Sequence, residues 1–389
     1  MTFPETQSDK AIDMNDLSAA IEIVRPPRLE FGHGRAAEVG AWARAHGHRR
    51  VFVVTSAFNA RRVDALQLDG DVAVFAGVGA EPEIPDLERA LAAARQVAPD
   101  LIVGFGGGSV MDVAKLVAVL HEADQTFTDI VGVERARRRA VALAQVPTTA
   151  GTGSEVATRA LVTDPLTRNK CAAQSSHMLA DLAVIDPDLT ITVPPRTTAE
   201  TGVDAMAHCV EAFTNRKAHP MVDLYAREGI RLVGRYLARA VKDGADREAR
   251  AGLTLAALYG GYCLGPVNTA GGHAVAYPLG TRHRIAHGAA NAMIFPHVLA
   301  YNARAVPERT AFVLEALGLE RSDDPDRVFA QGYAFCRDLG IPMRLSERGV
   351  PRDDIETMAD EAFAIKRLID NNPRPLTREA IIEMYERAY

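Results

Sequence analysis

Cysteine is scarce and scattered. The 389-residue chain holds four, Cys171, Cys209, Cys263 and Cys336, with no C-x-x-C pair among them. A disulfide scaffold is thereby excluded, and reduced thiols in a cytoplasmic protein are expected. Long apolar runs are missing too: stretches such as Leu101–Phe105 fall far below the ~18 residues of a membrane span. No sign of charge dominates, since 44 Lys+Arg stand against 50 Asp+Glu for a net charge of −6. Neither nucleic acid nor an anionic membrane is therefore an expected partner. The opening MTFPETQSDKAIDMNDL lacks a basic n-region and an apolar stretch, which argues against secretion. What remains is an ordinary globular make-up, 48% hydrophobic and 24% charged. At roughly 100–200 residues per domain, the length suits two or three domains. Histidine is the one surplus: eleven residues, four of them from His273 to His297.

The first half alternates strand and helix. Val51–Ser56, Val72–Val78, Leu101–Gly106 and Val141–Val146 are short runs rich in Val, Ile and Phe, bounded by Gly, Pro or polar residues. Helical patterns lie between them at Ala36–Ala45, Pro85–Val97 and Val110–Leu120, and two more strand-like runs follow near Ala160–Asp164 and Leu182–Asp186. This order predicts a mostly parallel sheet covered on both faces. Past the turn-rich Pro187–Thr198 segment the periodicity becomes helical: Ala199–Thr214, Met221–Lys242, Asp246–Leu264, Ala289–Ala303, Pro307–Leu317, Arg327–Leu339, Asp353–Ala364 and Thr377–Ala388. Thr377 is the expected N-cap of the last. A domain boundary is placed near residue 190, giving an α/β domain over 1–190, with 1–20 expected to be flexible, and an all-helical domain over 191–389. The basic run Arg135–Arg139 is expected to be a solvated loop.

Two loops suggest a nucleotide. After the run ending at Phe105 comes Gly106-Gly107-Gly108-Ser109, then a helix start. Glycines admit a ligand close to the backbone, and free N–H groups with the helix dipole favour an anion. The segment fits neither G-x-G-x-x-G nor a Walker loop, and a bare strand-to-helix turn would look the same. The second loop, Pro147-Thr148-Thr149-Ala150-Gly151-Thr152-Gly153-Ser154-Glu155, follows another strand and is dense in hydroxyls. Paired loops at neighbouring strand ends favour a nucleotide crevice. In the helical half, Asp204 and His208 stand at i and i+4 on one helix face, and His273 and His287 follow 14 residues apart. One carboxylate and three imidazoles suit Fe(II) or Zn(II), although each His singly is more often a hydrogen-bonded structural residue.

Taken together, GGGSVMD, PTTAGTGSE, GVDAMAH, HAVAYPLG followed by AHG, and NNPRPLT resemble the iron-containing (group III) alcohol dehydrogenases, in order, over about residues 28–389. The resemblance implies an N-terminal α/β domain with a mostly parallel, Rossmann-like sheet, an all-α C-terminal domain, and an active site between them, the dehydroquinate synthase-like architecture. It implies metal ligands at Asp204, His208, His273 and His287, and a pyrophosphate loop at Gly106, Gly107, Gly108 and Ser109, with Asp112 on the next helix. Cofactor contacts are implied for Thr148, Thr149, Thr152 and Lys170, with Leu179 near the nicotinamide. It also implies a small alcohol, aldehyde or ketone substrate, a nicotinamide cofactor as hydride carrier, Fe(II) or Zn(II) as Lewis acid, and a homodimer or larger assembly.

This chain departs from that pattern at several points. Tyr277 stands where many members carry a second His, so a phenol would relay a proton there or simply pack. Ser56 ends its strand where NAD-preferring members place Asp; its lack of charge admits a 2′-phosphate, so NAD is expected with NADP tolerated. The stretches Ala57–Asp71 and Asn268–His273 run shorter than usual. Arg159 is a candidate for recognising an anionic substrate group, against the reading of a salt-bridged or outward-facing Arg. His283 is assigned to the surface or to a place behind the ligands, His297 to a structural role and Cys209 to the core. The competing readings are a dehydroquinate synthase-like cyclase, disfavoured by the D-x-x-x-H pair, and a metal-free maleylacetate-reductase-like enzyme. A non-catalytic nucleotide-binding protein would not need the full ligand set.

Overall fold

The computed structural model describes residues 17–167 and 170–389, so the expectations for the first sixteen residues lie outside it. Nine strands are found among the described residues: β1 (Arg28–Phe31), β2 (Arg50–Thr55), β3 (Asp71–Phe75), β4 (Leu101–Gly106), β5 (Gly132–Val133), β6 (Ala142–Pro147), β7 (Arg159–Thr163), β8 (Lys170–Gln174) and β9 (Leu182–Ile185). Six form one sheet in the order β1-β9-β6-β4-β2-β3, all parallel. The inner strands β2, β4, β6 and β9 are apolar on both faces because both faces are covered, whereas the edge strands β1 and β3 are partly exposed. Phe52, Val54, Ile102 and Leu143 point into one core with α2 (Ile84–Val97) and α3 (Gly108–Leu120). Val51, Val53, Leu101, Val103 and Ala144 point into the other with α1 (Glu38–Ala45) and its Trp42. A four-residue helix, α4 (Phe127–Ile130), follows α3.

β5, β8 and β7 make a small second sheet. The antiparallel β7–β8 register sets Arg159 opposite Gln174 and Thr163 opposite Lys170. Thr163 also pairs with the Glu81–Glu83 segment, its N–H donating to the Pro82 carbonyl at 2.9 Å.

From Pro195 onward the described chain is helical: α5 (Pro195–Thr214), α6 (Pro220–Lys242), α7 (Arg247–Leu264), α8 (Gly271–His283), α9 (His287–Asn302), α10 (Pro307–Ala316), α11 (Pro325–Asp338), α12 (Ile355–Ala364), α13 (Lys366–Ile369) and α14 (Arg378–Ala388). Helix α5 packs against α6, α7 and α9, its buried Val203, Met206 and Val210 joining one core. Thr377 caps α14 as expected, accepting from the Ala380 N–H at 3.2 Å. None of these helices is long and apolar enough to cross a membrane.

Several elements differ from expectation. The short strands β1, β5 and β8 carry weak patterns, and the run predicted to Val78 leaves the sheet at Phe75. Helix α8 is unexpected because Pro278 lies inside it; proline there forgoes one backbone bond, which cancels the helical signal. In the basic loop, Arg139 is not solvated but holds Asp181 at 2.6 and 2.8 Å with 14% of its side chain exposed.

One contact fixes the β6–β7 loop against the helical half. Gly153 has φ +62°, and a Cβ there would lie 2.4 Å from Gly261 Cα on α7. Alanine at 153 must therefore adopt a left-handed backbone and push two backbones apart. Gly153→Ala is expected to cost at least about 2 kcal/mol in urea unfolding. Gly318→Ala, at φ +78° with no atom within 4 Å, should cost only about 1 kcal/mol. Equal losses would show that the backbone conformation, not the contact, matters.

Candidate functional site

The glycine loop and the hydroxyl loop lie side by side because β4 and β6 are neighbours in the sheet, with β2 and its Ser56 on the far side of β4. All three leave the sheet at its carboxyl edge, the usual place for a ligand in an open parallel sheet. Gly107 opens α3, so the first N–H groups of that helix face the crevice. The loops touch: a Cβ on Gly108 would come within 2.6 Å of Thr152, and one on Gly107 within 3.3 Å of Thr149. Thr148 is buried, its N–H bonded to the Gly106 carbonyl at 3.0 Å and its hydroxyl accepting from Asn59 at 3.1 Å.

Asp112 does more than border this crevice. Its carboxylate accepts from Ser154 Oγ at 2.6 Å and from the Leu161 N–H at 3.0 Å. Fully buried Lys115 donates to Ser154 at 2.6 Å and to the Arg159 carbonyl at 2.8 Å. Burial lowers the Lys115 pKa, although Asp112 and Glu155 oppose this. Burial likewise raises Glu155 to about 7. This network ties α3 to the hydroxyl loop and to the start of β7.

The second cluster comes from three helices. Asp204 and His208 share a face of α5; His273 lies in the first turn of α8 and His287 at the start of α9. Asp204 Oδ1 is 3.8, 3.6 and 3.4 Å from Nε2 of His208, His273 and His287. The four donor atoms all lie within 4.8 Å of one another. Donors about 2.1 Å from a common ion in a tetrahedron would stand ~3.4 Å apart, so the set fits a divalent cation. Close approach of α9 to α5 is needed for this: a Cβ on Gly288 would strike the Glu200 carbonyl at 2.2 Å.

The electrostatics match. Burial works against ionised Asp204, but His208, His287 and His273 outweigh it and hold its pKa far below the carboxylate range. Burial lowers His208, and lowers His287 to about 4. His273 is the exception: burial opposes its charge, yet Glu211 and Asp204 raise it to about 10.

Two residues of this cluster were not picked out from sequence. Glu211 accepts from His273 Nδ1 at 2.5 Å and from the Ala270 and His273 N–H groups at 2.7 and 3.2 Å. It sits seven residues after Asp204, on the same helix face, so D-x-x-x-H-x-x-E was its signal. Asn291, one turn after His287, places Nδ2 2.7 Å from Asp204 and 3.2 Å from both His273 and His287. Its Oδ1 is buried without a partner. Half a turn of the amide would aim that oxygen, a cation-compatible group, at the cluster.

One cavity of about 650 Å³ joins the two clusters. Ser56, Gly107, Gly108, Ser109, Asp112, Thr148, Thr149, Thr152, Arg159, Lys170, Tyr277 and the four candidate ligands all border it. Gly106 and Leu179 do not: Gly106 ends β4 beneath Val110, and Leu179 closes a short turn before β9. Tyr277 stands beside the ligands, its ring 5.7 Å from that of His287. Burial opposes its ionisation, but Arg367, His273, Lys170 and Arg159 outweigh this and lower its pKa. Lys170 is paired with Glu81 at 2.5 Å. His283 faces Asp354 at 3.3 Å, the His297 ring centre lies 4.9 Å from that of Phe329 with the planes tilted by 58°, and Cys209 is buried in the helical core.

Residues 26–187 match the iron-containing alcohol dehydrogenase family model, and residues 198–389 match the C-terminal model of the same family. Long-chain-alcohol dehydrogenase 1 of Geobacillus thermodenitrificans is 35% identical over 94% of this chain and 96% of its own length. The NAD-dependent methanol dehydrogenase of Bacillus methanolicus is 30% identical over 93% and 98%. The crystal structure of a 1,3-propanediol oxidoreductase superposes with a TM-score of 0.90 at 30% identity, covering 95% of this chain and all of that one.

Cation binding should expel a proton. In the cation-free protein His273 holds its proton up to about pH 10, whereas His208 and His287 are lowered. Acid therefore favours the empty cluster, and Zn(II) affinity should rise up to tenfold per pH unit, roughly, from neutrality toward pH 9. Calorimetry in buffers of different ionisation enthalpy should find about one proton released per ion near neutrality. Glu211→Gln should weaken the ion by about 10–100-fold and reduce that release. Zn(II) uptake independent of pH would contradict this account.

Proposed function

The chain belongs to the iron-containing alcohol dehydrogenase family of metal-dependent alcohol oxidoreductases, and from that premise we propose that it moves a hydride between a small alcohol or its carbonyl compound and NAD. The observation that carries this reading is the single cavity running from the glycine loop to the Asp204 cluster. A dinucleotide laid along the sheet edge would have its diphosphate at Gly107–Ser109 and its reactive end near the ligands. Asp204, His208, His273 and His287 would hold Fe(II) or Zn(II), with Glu211 orienting His273. When bound, such an ion would supply Lewis acidity for the substrate oxygen, and a nicotinamide would supply the hydride acceptor or donor.

The chain's own residues do the rest. Lys115, Asp112 and Ser154 hold the hydroxyl loop at its working distance from the glycine loop. Tyr277 is positioned to exchange the hydroxyl proton with the substrate oxygen, its ionisation eased by surrounding cations. Lys170, kept charged by Glu81 against the cost of burial, borders the cofactor channel. The family likeness also supports a homodimer or larger assembly, and the free thiols a cytoplasmic setting.

Chelation with verified metal loss should abolish alcohol-dependent NAD reduction, and Zn(II) or Fe(II) should restore it. Tyr277→Phe should keep its metal and lose about 10²-fold in kcat. Turnover that persists without metal would sink the mechanism.

Cofactor choice is set at the other end of the cavity. Ser56 Oγ accepts from the Asn59 N–H at 3.3 Å, and Arg62 borders the same cavity. Among the described residues no carboxylate hydrogen-bonds to Ser56 or lines the cavity beside it to repel a 2′-phosphate. NADP should thus work as well, within about tenfold of NAD in kcat/KM, and Ser56→Asp should widen the gap by a further factor of about ten or more. A wild-type preference for NADP beyond that range would reverse the assignment.

A further inference from the structure

The end of the cavity beside Tyr277 is more basic than the reaction described above requires. Arg159, Lys170 and Arg367 all act on the Tyr277 phenol. The Lys170 ammonium lies 5.5 Å from its ring centre and the Arg367 guanidinium 5.8 Å from it. Lys170 is neutralised by Glu81. Arg159 is not neutralised by any carboxylate among the described residues. It is held by two neutral amides: one terminal nitrogen donates to Asn268 Oδ1 at 3.0 Å and the other to Gln174 Oε1 at 3.2 Å. A guanidinium carries five N–H donors, so most of its donor capacity has no protein acceptor.

The placement of Arg159 is built rather than incidental. The β7–β8 register sets it opposite Gln174, its carbonyl is fixed by buried Lys115, and Asn268 meets it from the helical half in a left-handed turn at φ 78°. Asn268 is steadied in turn, its Oδ1 accepting from the Thr269 N–H at 2.8 Å and its carbonyl from Asn215 at 3.1 Å. Sequestering a cation among amides without a counterion is costly, and burial together with nearby Arg367 lowers the Arg159 pKa. That cost is offset when an anion enters.

On the alcohol dehydrogenase reading, we propose that the substrates are short alcohols and aldehydes bearing an anionic group, a carboxylate or a sulfonate, which Arg159 binds through its unused N–H donors while Arg367, 5.8 Å from the Tyr277 ring centre, adds positive charge nearby. Tyr277 touches both ends, lying beside His273 and His287 on one side and the two arginines on the other. Arg159, Tyr277 and the four candidate ligands border one cavity, so a single short substrate could reach from the cluster to the guanidinium.

The test compares initial rates of the metal-loaded enzyme with NADH on three aldehydes: butanal, succinate semialdehyde of the same chain length, and a short aldehyde sulfonate. An anionic aldehyde should exceed butanal in kcat/KM by about tenfold or more, mainly through KM. Arg159→Gln should erase that ratio, Arg159→Lys should retain part of it, and Arg367→Gln should lower it by a smaller factor. Free propanesulfonate should compete with aldehyde in the wild type and lose potency in Arg159→Gln. If butanal is reduced as well as either anion, the proposal falls while the reaction class stands. If no aldehyde is reduced, both fall. An equal loss on all three aldehydes in Arg159→Gln, or a change confined to the KM for NADH, would make Arg159 a positioning or cofactor residue and overturn the proposal. Should Arg159→Gln fail to fold, the wild-type ratio and the Arg159→Lys and Arg367→Gln variants decide.

Discussion

A buried carboxylate governs the helical half of this protein. Asp204 is 2% exposed, and an ion so enclosed persists only where positive charge meets it. Three imidazoles do so here, yet two of them are driven toward neutrality by the same burial. The cluster is therefore one positive charge short unless His273 keeps a proton or a cation enters. Much of the surrounding architecture serves that need. Helix α5 supplies Asp204, His208 and Glu211 from one face, and Gly288 lets α9 approach closely enough to bring in His287. Glu211 in turn fixes the ring of His273 through Nδ1, leaving Nε2 directed at Asp204.

The sheet side obeys a different constraint, closeness of backbone. Two loops from adjacent strands must form one crevice and also meet the helices. The glycine loop accepts Thr149 and Thr152 where any side chain would collide, and Gly153 meets Gly261 with no Cβ on either residue. Buried Lys115 then links α3, the hydroxyl loop and β7 through Ser154 and the Arg159 carbonyl. A change in this buried network would shift the cofactor loop and Arg159 together, because one ammonium anchors both. The hydroxyl loop and the backbone at Arg159 are thus joined through one buried ammonium on α3.

How much of this was legible in the sequence depended on whether the signal was local. The i,i+4 spacing of Asp204 and His208 marks a shared helix face, and a triple glycine between strand and helix marks an anion site, so both could be read directly. Strands β2, β4, β6 and β9 of the main sheet were visible because burial on two faces leaves uninterrupted apolar runs, whereas the edge strand β1, with Arg28 and Glu30, shows no such run. By contrast, Lys170–Gln174 forms a strand only through its pairing with β7, and its own residues are unremarkable. Helix α8 was hidden by Pro278, whose local cost is outweighed by packing of Val275 and Leu279 in the core. Asn291 gave no signal as an isolated amide, and its place among three donors exists only after α5, α8 and α9 converge. Leu179, assigned by resemblance alone, stands outside the cavity. Arg159 was a candidate whose alternatives, salt bridge or outward face, could be weighed only once its partners proved to be two amides.

Charge is distributed unevenly along the cavity. The candidate ligand cluster holds a buried carboxylate whose charge is met by protonated His273 or by an entering cation; the glycine loop presents N–H groups and a helix start; beside Tyr277 stand Arg159 and Arg367, neither in a salt bridge with a carboxylate among the described residues. Each region is unfavourable alone, since desolvated charges and dipoles face an enclosed space. Filling any one of them relieves its own cost and alters the field at the others, because the same phenol and imidazoles lie between them. A cation at the cluster would lower the affinity of His273 for its proton, and with that proton gone Tyr277 would be influenced by the ion instead. An anion held by Arg159 would partly cancel the positive field that favours the ionised phenol. The phenol would then be a weaker acid with substrate in place, better suited to keep its proton until the substrate oxygen gains charge. Anion recognition by Arg159 would in this way be coupled electrostatically to proton transfer at the neighbouring phenol.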